Sequence, residues 1–236
     1  MAGLDTNTSL LLHFDGSDGS TTFTDSSLSP KTFSVVGDAQ IDTAQSKFGG
    51  ASGLFDGTGD YIETPDHADW ILGGGTGPFT IDGWIRFNSV ASCGFLNQGE
   101  TANDRWNIGF TGTELSFIQK TSGLTTHNMT KSWSPSSNTW YHIAFIRGWG
   151  GVNDDFAFTV DGSQVGTTSN VSDNIANFAS HLIVGTKWDG GVFVPFNGWM
   201  DEWRISNVAR WTANFTPPTE AYSVDSNKRL TLLGVG

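Results

Sequence analysis

The nine residues Phe79-Thr-Ile-Asp-Gly-Trp-Ile-Arg-Phe87 alternate in character without a break. Phe79, Ile81, Ile85 and Phe87 share one parity, while Thr80, Asp82, Trp84 and Arg86 share the other. Successive side chains of a strand point to opposite faces, so this run predicts a strand with one face on a core. Shorter runs of the same kind recur at 10–14, 53–57, 60–64, 106–110, 114–120, 141–147, 156–161, 181–186 and 199–205, with Gly, Asn, Asp and Ser between them. No stretch sustains a helical period, and only short helical turns are expected, near 66–72 or 206–211. The pattern predicts an all-β chain, an antiparallel two-sheet β-sandwich of jelly-roll form.

Asp161-Gly162, flanked by Val160 and Val165, predicts a hairpin, because that dipeptide suits a turn needing positive φ. Leu230-Thr-Leu-Leu is expected as an edge strand beside Leu10–Phe14. No linker or repeat divides the chain. It is read as one domain over 1–236, with its motif-bearing core at roughly 8–220.

At 236 residues the chain is long enough to bury a two-layer core, and 17 Phe with 10 Trp supply the apolar bulk. The formal net charge of −12 argues against binding to nucleic acid or an anionic membrane, where phosphates demand a basic face. No segment is long and apolar enough for membrane insertion. The single cysteine, Cys93, allows no intrachain disulfide. The N-terminal residues lack the basic and apolar regions of a secretory signal.

Five segments occur in order: Gly53-Leu-Phe-Asp-Gly-Thr-Gly-Asp-Tyr-Ile-Glu63, Phe79-Thr-Ile-Asp-Gly-Trp-Ile85, Thr139-Trp-Tyr-His-Ile-Ala-Phe-Ile-Arg147, Phe158-Thr-Val-Asp-Gly162, and Phe196-Asn-Gly-Trp-Met-Asp-Glu-Trp-Arg-Ile-Ser-Asn-Val-Ala-Arg-Trp211. Together they make the chain resemble the concanavalin A-like, laminin-G-like jelly-roll family, which includes the pentraxins and many modules of microbial and phage proteins. The resemblance implies glycan or polysaccharide partners, or other virion or cell-surface proteins. It also implies a virion or extracellular surface setting and leaves oligomerisation open.

The same fold hosts glycoside hydrolases and polysaccharide lyases, so catalysis needs its own test. A retaining glycosidase places two carboxylates about 5–5.5 Å apart across one bond. The Glu-x-Asp-x-(x)-Glu pattern of such hydrolases is absent. Asp201 and Glu202 are consecutive and so, on a regular strand, face opposite ways, while Glu202 and Arg204 read as a same-face pair. Tyr141 and His142, the residue types a lyase would use, are likewise adjacent. The five histidines show no zinc spacing. These readings favour binding over catalysis.

Two candidate sites follow. On a regular strand Asp201 shares its parity with Trp203 and Ile205, and a carboxylate turned inward needs a partner. By resemblance to related jelly rolls, a structural calcium ion would take Asp15, Gly57 and Asp201. The second site is a loop rim. Asn103 and Asp104 fall where pentraxins carry an Asp-Asn pair, and Asp189 matches the end of their Glu-Gln-Asp run, with Lys187 and Trp188 in place of Glu and Gln. Arg105, Trp149 and Trp188 add a guanidinium and two loop indoles, and aromatic faces with charged neighbours suit a sugar. The expected function is a non-catalytic, lectin-like carbohydrate-binding module, calcium-stabilised, on a microbial or phage surface or virion. The alternatives are a virion decoration or adhesion protein acting by protein contact, and a glycoside hydrolase or polysaccharide lyase.

Overall fold

A computed structural model describes residues 4–99, 101, 103–189 and 191–223. Seventeen strands appear in order: β1 (Thr8–Leu12), β2 (Ser34–Val36), β3 (Gln40–Asp42), β4 (Ser52–Asp56), β5 (Tyr61–Thr64), β6 (Phe79–Phe87), β7 (Cys93–Gln98), β8 (Arg105–Phe110) and β9 (Glu114–Thr121). Then come β10 (Leu124–Ser132), β11 (Trp140–Arg147), β12 (Asp155–Val160), β13 (Ser163–Asn170), β14 (Leu182–Val184), β15 (Thr186–Asp189), β16 (Val192–Pro195) and β17 (Asn197–Ser206). Helical structure among the described residues is limited to three 3-10 turns, at Ala68–Trp70, Leu72–Gly74 and Trp149–Gly151. The 206–211 stretch is not helical.

Every pairing is antiparallel. One sheet runs β13-β12-β11-β6-β17-β4-β3, with β1 also on β17; the other runs β10-β9-β8-β7-β14-β5-β2. Strands β15 and β16 form a separate ribbon. The fold is thus the all-β, two-sheet antiparallel sandwich with jelly-roll topology that the alternation predicts. β6 occupies the predicted residues, and its Phe79, Ile81, Ile85 and Phe87 join the core between the sheets. β12 and β13 form the predicted hairpin, with Asp161 (φ 48°) and Gly162 (φ 75°) at the turn. The expected edge strand at 230–233 lies outside the described residues.

β17 departs from simple alternation. Met200 lies opposite Ile85 and Asp201 opposite Trp84, yet Arg204 lies opposite Asp82, so Glu202 and Trp203 together face Gly83. Glu202 takes a left-handed φ of 50°. The extra residue is a β-bulge, and it resets the parity. Met200, Trp203 and Ile205 enter the core, while Asp201 and Arg204 lie with Trp84 and Asp82 on the outer face. Gly83 makes room for this, since a Cβ there would come within 2.3 Å of the Trp203 ring. The expectation that Asp201 shares a face with Trp203 and Ile205 is therefore corrected. So is the Glu202–Arg204 pair: Glu202 instead engages His13 Nδ1 (2.6 Å) and accepts from the Tyr222 N–H (2.7 Å).

The outer face of the eight-stranded sheet is covered by the segment after β17. Asp82 accepts from Arg204 Nε (3.0 Å) and Nη2 (3.1 Å), contacts His142 Nε2 (3.3 Å), and accepts from the Tyr222 hydroxyl. Burial alone would raise its carboxyl, but the Arg204 charge and the His142 contact hold it down to about 2. Ala144, Ile146, Trp149, Ala157 and Trp211 complete this layer, with Phe215 stacked on Trp211 at 3.9 Å.

Candidate binding face and cation site

The β15–β16 ribbon folds across the outer face of the seven-stranded sheet, over β7 and β8. Two glycines admit it. A Cβ on Gly94 would come within 2.1 Å of the Lys187 backbone nitrogen, while one on Gly109 would first meet the Cys93 carbonyl at 2.3 Å and then the Lys187 side chain at 3.1 Å. Lys187 is buried and donates from Nζ to the Phe110 carbonyl (3.0 Å), and burial lowers its ammonium's pKa. Its neighbour Cys93 is buried too, which pushes that thiol up to about 12. Thus the position where a pentraxin carries a carboxylate holds a lysine turned into the protein.

Two asparagines fix the next residue. Asn97 Oδ1 accepts from the Trp188 N–H and Asn107 Nδ2 donates to the Trp188 carbonyl, both at 3.3 Å. The Trp188 ring meets Phe193 edge-on at 4.8 Å, and Phe193 packs against Tyr61 at 5.2 Å. Tyr61 and Phe193 of this row line a cleft of about 300 Å³, together with Glu63, His181 and Ile183. Trp188 is half-buried, and its Nε1 is buried with no acceptor.

The rim residues separate into groups. Arg105 is buried at the start of β8; burial lowers its pKa while the nearby Asp189 carboxylate raises it, so Arg105, Trp188 and Asp189 share one region. Asn103 and Asp104 sit beside them and hold the β9–β10 turn: Asp104 Oδ1 accepts from the Ser122 N–H (2.8 Å) and the Asn103 carbonyl from the Gly123 N–H (2.9 Å). Trp149 is elsewhere. It is buried on the outer face of the opposite sheet and donates to Gln164 (3.0 Å). Its expected exposure in a glycine-rich loop is corrected, because the 3-10 turn folds its ring onto Ala144 and Ala157.

Tyr61, Glu63, His181 and Phe193 were not singled out by sequence. The signal for two of them lay in β5, where Ile62 and Thr64 point inward and so turn Tyr61 and Glu63 outward. Phe193 is brought in by the ribbon, whose placement depends on Gly94 and Gly109.

The structure brings Asp15 and Asp201 together but not Gly57. Asp201 is fully buried, and its Oδ2 accepts from the Lys47 (2.7 Å) and Phe48 (3.0 Å) N–H groups. Its Oδ1 is buried with no partner. Burial above all, then the charges of Glu202 and Asp15, pushes this carboxyl up to about 7 against those two hydrogen bonds. The same charges, with the Glu202 hydrogen bond, raise His13 against its own burial. Gly57 instead packs on Asn197, roughly 13 Å along β17 from Asp201 at the usual strand rise. An orphaned carboxylate oxygen beside a second carboxylate suits a hard cation, which would draw its remaining ligands from carbonyls and water. No three His, Cys, Asp or Glu side chains group as metal ligands among the described residues.

The sequence matches no curated protein. Among solved structures, the binding domain of Paraclostridial Mosquitocidal Protein 1 aligns with a TM-score of 0.64 at 17% identity, over 87% of this chain and 50% of that one. The botulinum neurotoxin serotype G binding domain aligns at 0.63 and 14%, over 87% and 49%. The binding domain of botulinum neurotoxin DC, in complex with rat synaptotagmin II, aligns at 0.62 and 14%, over 87% and 49%. The chain spans about half the length of these structures, and at such identities the likeness shows the fold alone. Residues 56–214 match Laminin_G_3, the Concanavalin A-like lectin/glucanases superfamily, and that is the family to which this chain belongs.

Proposed function

We propose that this domain is a non-catalytic carbohydrate-binding module of a microbial or phage surface or virion protein, and that its glycan seats in the Tyr61–Phe193 cleft. One observation carries the reading: the rings of Tyr61 and Phe193, the latter backed by Trp188, line a cleft that also presents a carboxylate and an imidazole. Aromatic faces take up the apolar face of a pyranose, and a few convergent polar groups orient its hydroxyls. Tyr61 and Phe193 supply the stacking surface, while Glu63 and His181 meet the hydroxyls. Asp189, further along the ribbon and beside the buried Arg105, extends the contact to a longer chain. Among the described residues Glu63 is the one carboxylate lining the cleft, whereas glycoside hydrolysis calls for a pair. A calcium ion on Asp201 and Asp15 stabilises the fold from the opposite sheet.

A glycan array, followed by calorimetry on the best hit, tests this. Binding should weaken at least tenfold in Tyr61→Ala and in Phe193→Ala. An array with no hit, with and without calcium, defeats the proposal. A second reading, adhesion or virion decoration through a protein surface, is favoured by one comparison, the structure solved in complex with rat synaptotagmin II. That reading and the similarity to receptor-binding domains both fit a surface-exposed setting. Capture of a defined cell-surface protein with no glycan hit would select it.

A further inference from the structure

We propose that the outer face of the eight-stranded sheet carries a second sugar-binding groove, centred on Trp140 and specific for neutral pyranose chains. It lies on the opposite sheet from the Tyr61 cleft and does not rest on that reading. The groove measures about 460 Å³, and Lys47, Trp84, Trp140, Asp161, Pro217 and Pro218 are among the residues lining it.

Trp140 is the unusual residue. Four tryptophans among the described residues are partly exposed: Trp133, Trp140, Trp188 and Trp199. Trp133 packs on Phe87, Trp188 on Phe193, and Trp199 under the Arg86 guanidinium. Of these, Trp140 alone has neither an aromatic nor a cationic ring partner among the described residues. It stands opposite Arg86 at the start of β11, on the parity that faces away from the core. An indole placed this way keeps an apolar face available for stacking.

The polar groups around it are matched in sign and fixed in place. The Lys47 ammonium stands 3.8 Å from the centre of the Trp84 ring and enters no ion pair among the described residues. Trp84 is 5% exposed, and its indole N–H is buried with no acceptor. A buried donor without a partner is costly unless a ligand or water completes it. Asp161 is exposed but held by the hairpin turn: its N–H donates to the His142 carbonyl (2.8 Å), and its Oδ1 accepts from the His142 N–H (2.9 Å). An ammonium on one side and a carboxylate at the rim suit hydroxyl groups, which both accept and donate, better than a ligand of net charge.

The far wall is the Thr216–Thr219 strap. It is anchored at one end by the Phe215 N–H on the Gly162 carbonyl (2.9 Å) and at the other by Tyr222. Between those anchors it makes no hydrogen bond among the described residues, so the wall yields to a ligand without breaking any.

The test uses protein labelled with 5-fluorotryptophan and carrying Tyr61→Ala and Phe193→Ala, which disables the first cleft. Fluorine spectra are followed during titration with cellotetraose, xylotetraose, maltotetraose, laminaritetraose and chitotetraose. At least one should shift the Trp140 and Trp84 signals, assigned by Trp140→Phe and Trp84→Phe. Adding Trp140→Ala, or separately Lys47→Met, should weaken that binding at least tenfold with unchanged far-ultraviolet circular dichroism. The proposal is overturned if none of the five moves those signals, or if both further variants bind as tightly as their parent. Binding by the wild type that vanishes in the Tyr61/Phe193 variant also overturns it, and leaves the first cleft standing. Equal binding by wild type and that variant supports this groove and removes the first cleft.

Discussion

Arg204 and Asp82 face each other across β17 and β6, joined by two hydrogen bonds and almost wholly shut off from water. Removing one member of a buried ion pair strands the other, at a cost of about 3–5 kcal/mol. Arg204→Leu and Asp82→Asn should each lower urea stability by about that amount. The Asp82 carboxyl lies at about 2, below its ordinary 3.8. A depressed carboxyl contributes stability that is fully present above the unfolded value and is lost as pH falls through the folded one. Acid titration should therefore erode the wild type between about pH 4 and pH 2 more steeply than Asp82→Asn.

Asp201 has the opposite sign. Its carboxyl is raised from 3.8 to about 7, so the fold holds this proton more tightly than the unfolded chain does. Without calcium, stability should then fall as pH climbs from about 4 to about 7 and stay low above that. Calcium bound there as proposed should take the proton's place and offset the loss at pH 8. Melting temperatures across pH, in EDTA and in calcium, check this. Asp201→Asn should flatten the pH dependence and abolish any response to calcium.

The ribbon rests on glycine. A methyl group on Gly94 meets the Lys187 backbone, which cannot swing aside as a side chain would. Gly94→Ala should displace β15 and β16, expose Trp188 and Phe193, and red-shift tryptophan emission. Glycan affinity at the Tyr61 cleft should drop at least tenfold while far-ultraviolet circular dichroism is nearly unchanged. Retained affinity would mean that the ribbon does not shape the cleft.

Trp149 separates packing from binding. Truncating a buried tryptophan costs about 3–5 kcal/mol. Trp149→Ala should lose about that much stability, read by urea denaturation, yet keep glycan affinity within twofold below its melting point. A large loss of affinity in the folded variant would return this residue to the binding face.

The fold was legible where local alternation decides it. β6 could be read residue by residue, and the β12–β13 hairpin followed from Asp161-Gly162. The site was less legible, because tertiary contacts set it. A parity argument carried through β17 fails at Glu202, where one left-handed residue shifts the register. Trp149 and Trp188 look alike in sequence, each in a glycine-rich stretch. A 3-10 turn buries the first, and two asparagines on neighbouring strands hold the second over the sheet. The meeting of Tyr61 with Phe193 depends on two glycines in β7 and β8, which carry no local sign of what they admit.

The Tyr222 anchor has a consequence for synthesis. Its hydroxyl reaches a carboxylate 140 positions earlier in the chain, and Arg204 reaches the same group across 122. Through the synthesis of residues 83–203 Asp82 has neither its cation nor its cover, although β11 can pair with β6 once residues 140–147 are made. That face must stay hydrated until the last strand pairs, because an ionised carboxylate cannot be dried alone. The outer layer of the sandwich can therefore close only late, after nearly all of the described chain has left the exit tunnel. A nascent chain stalled before residue 204 should display a wet, protease-sensitive sheet face.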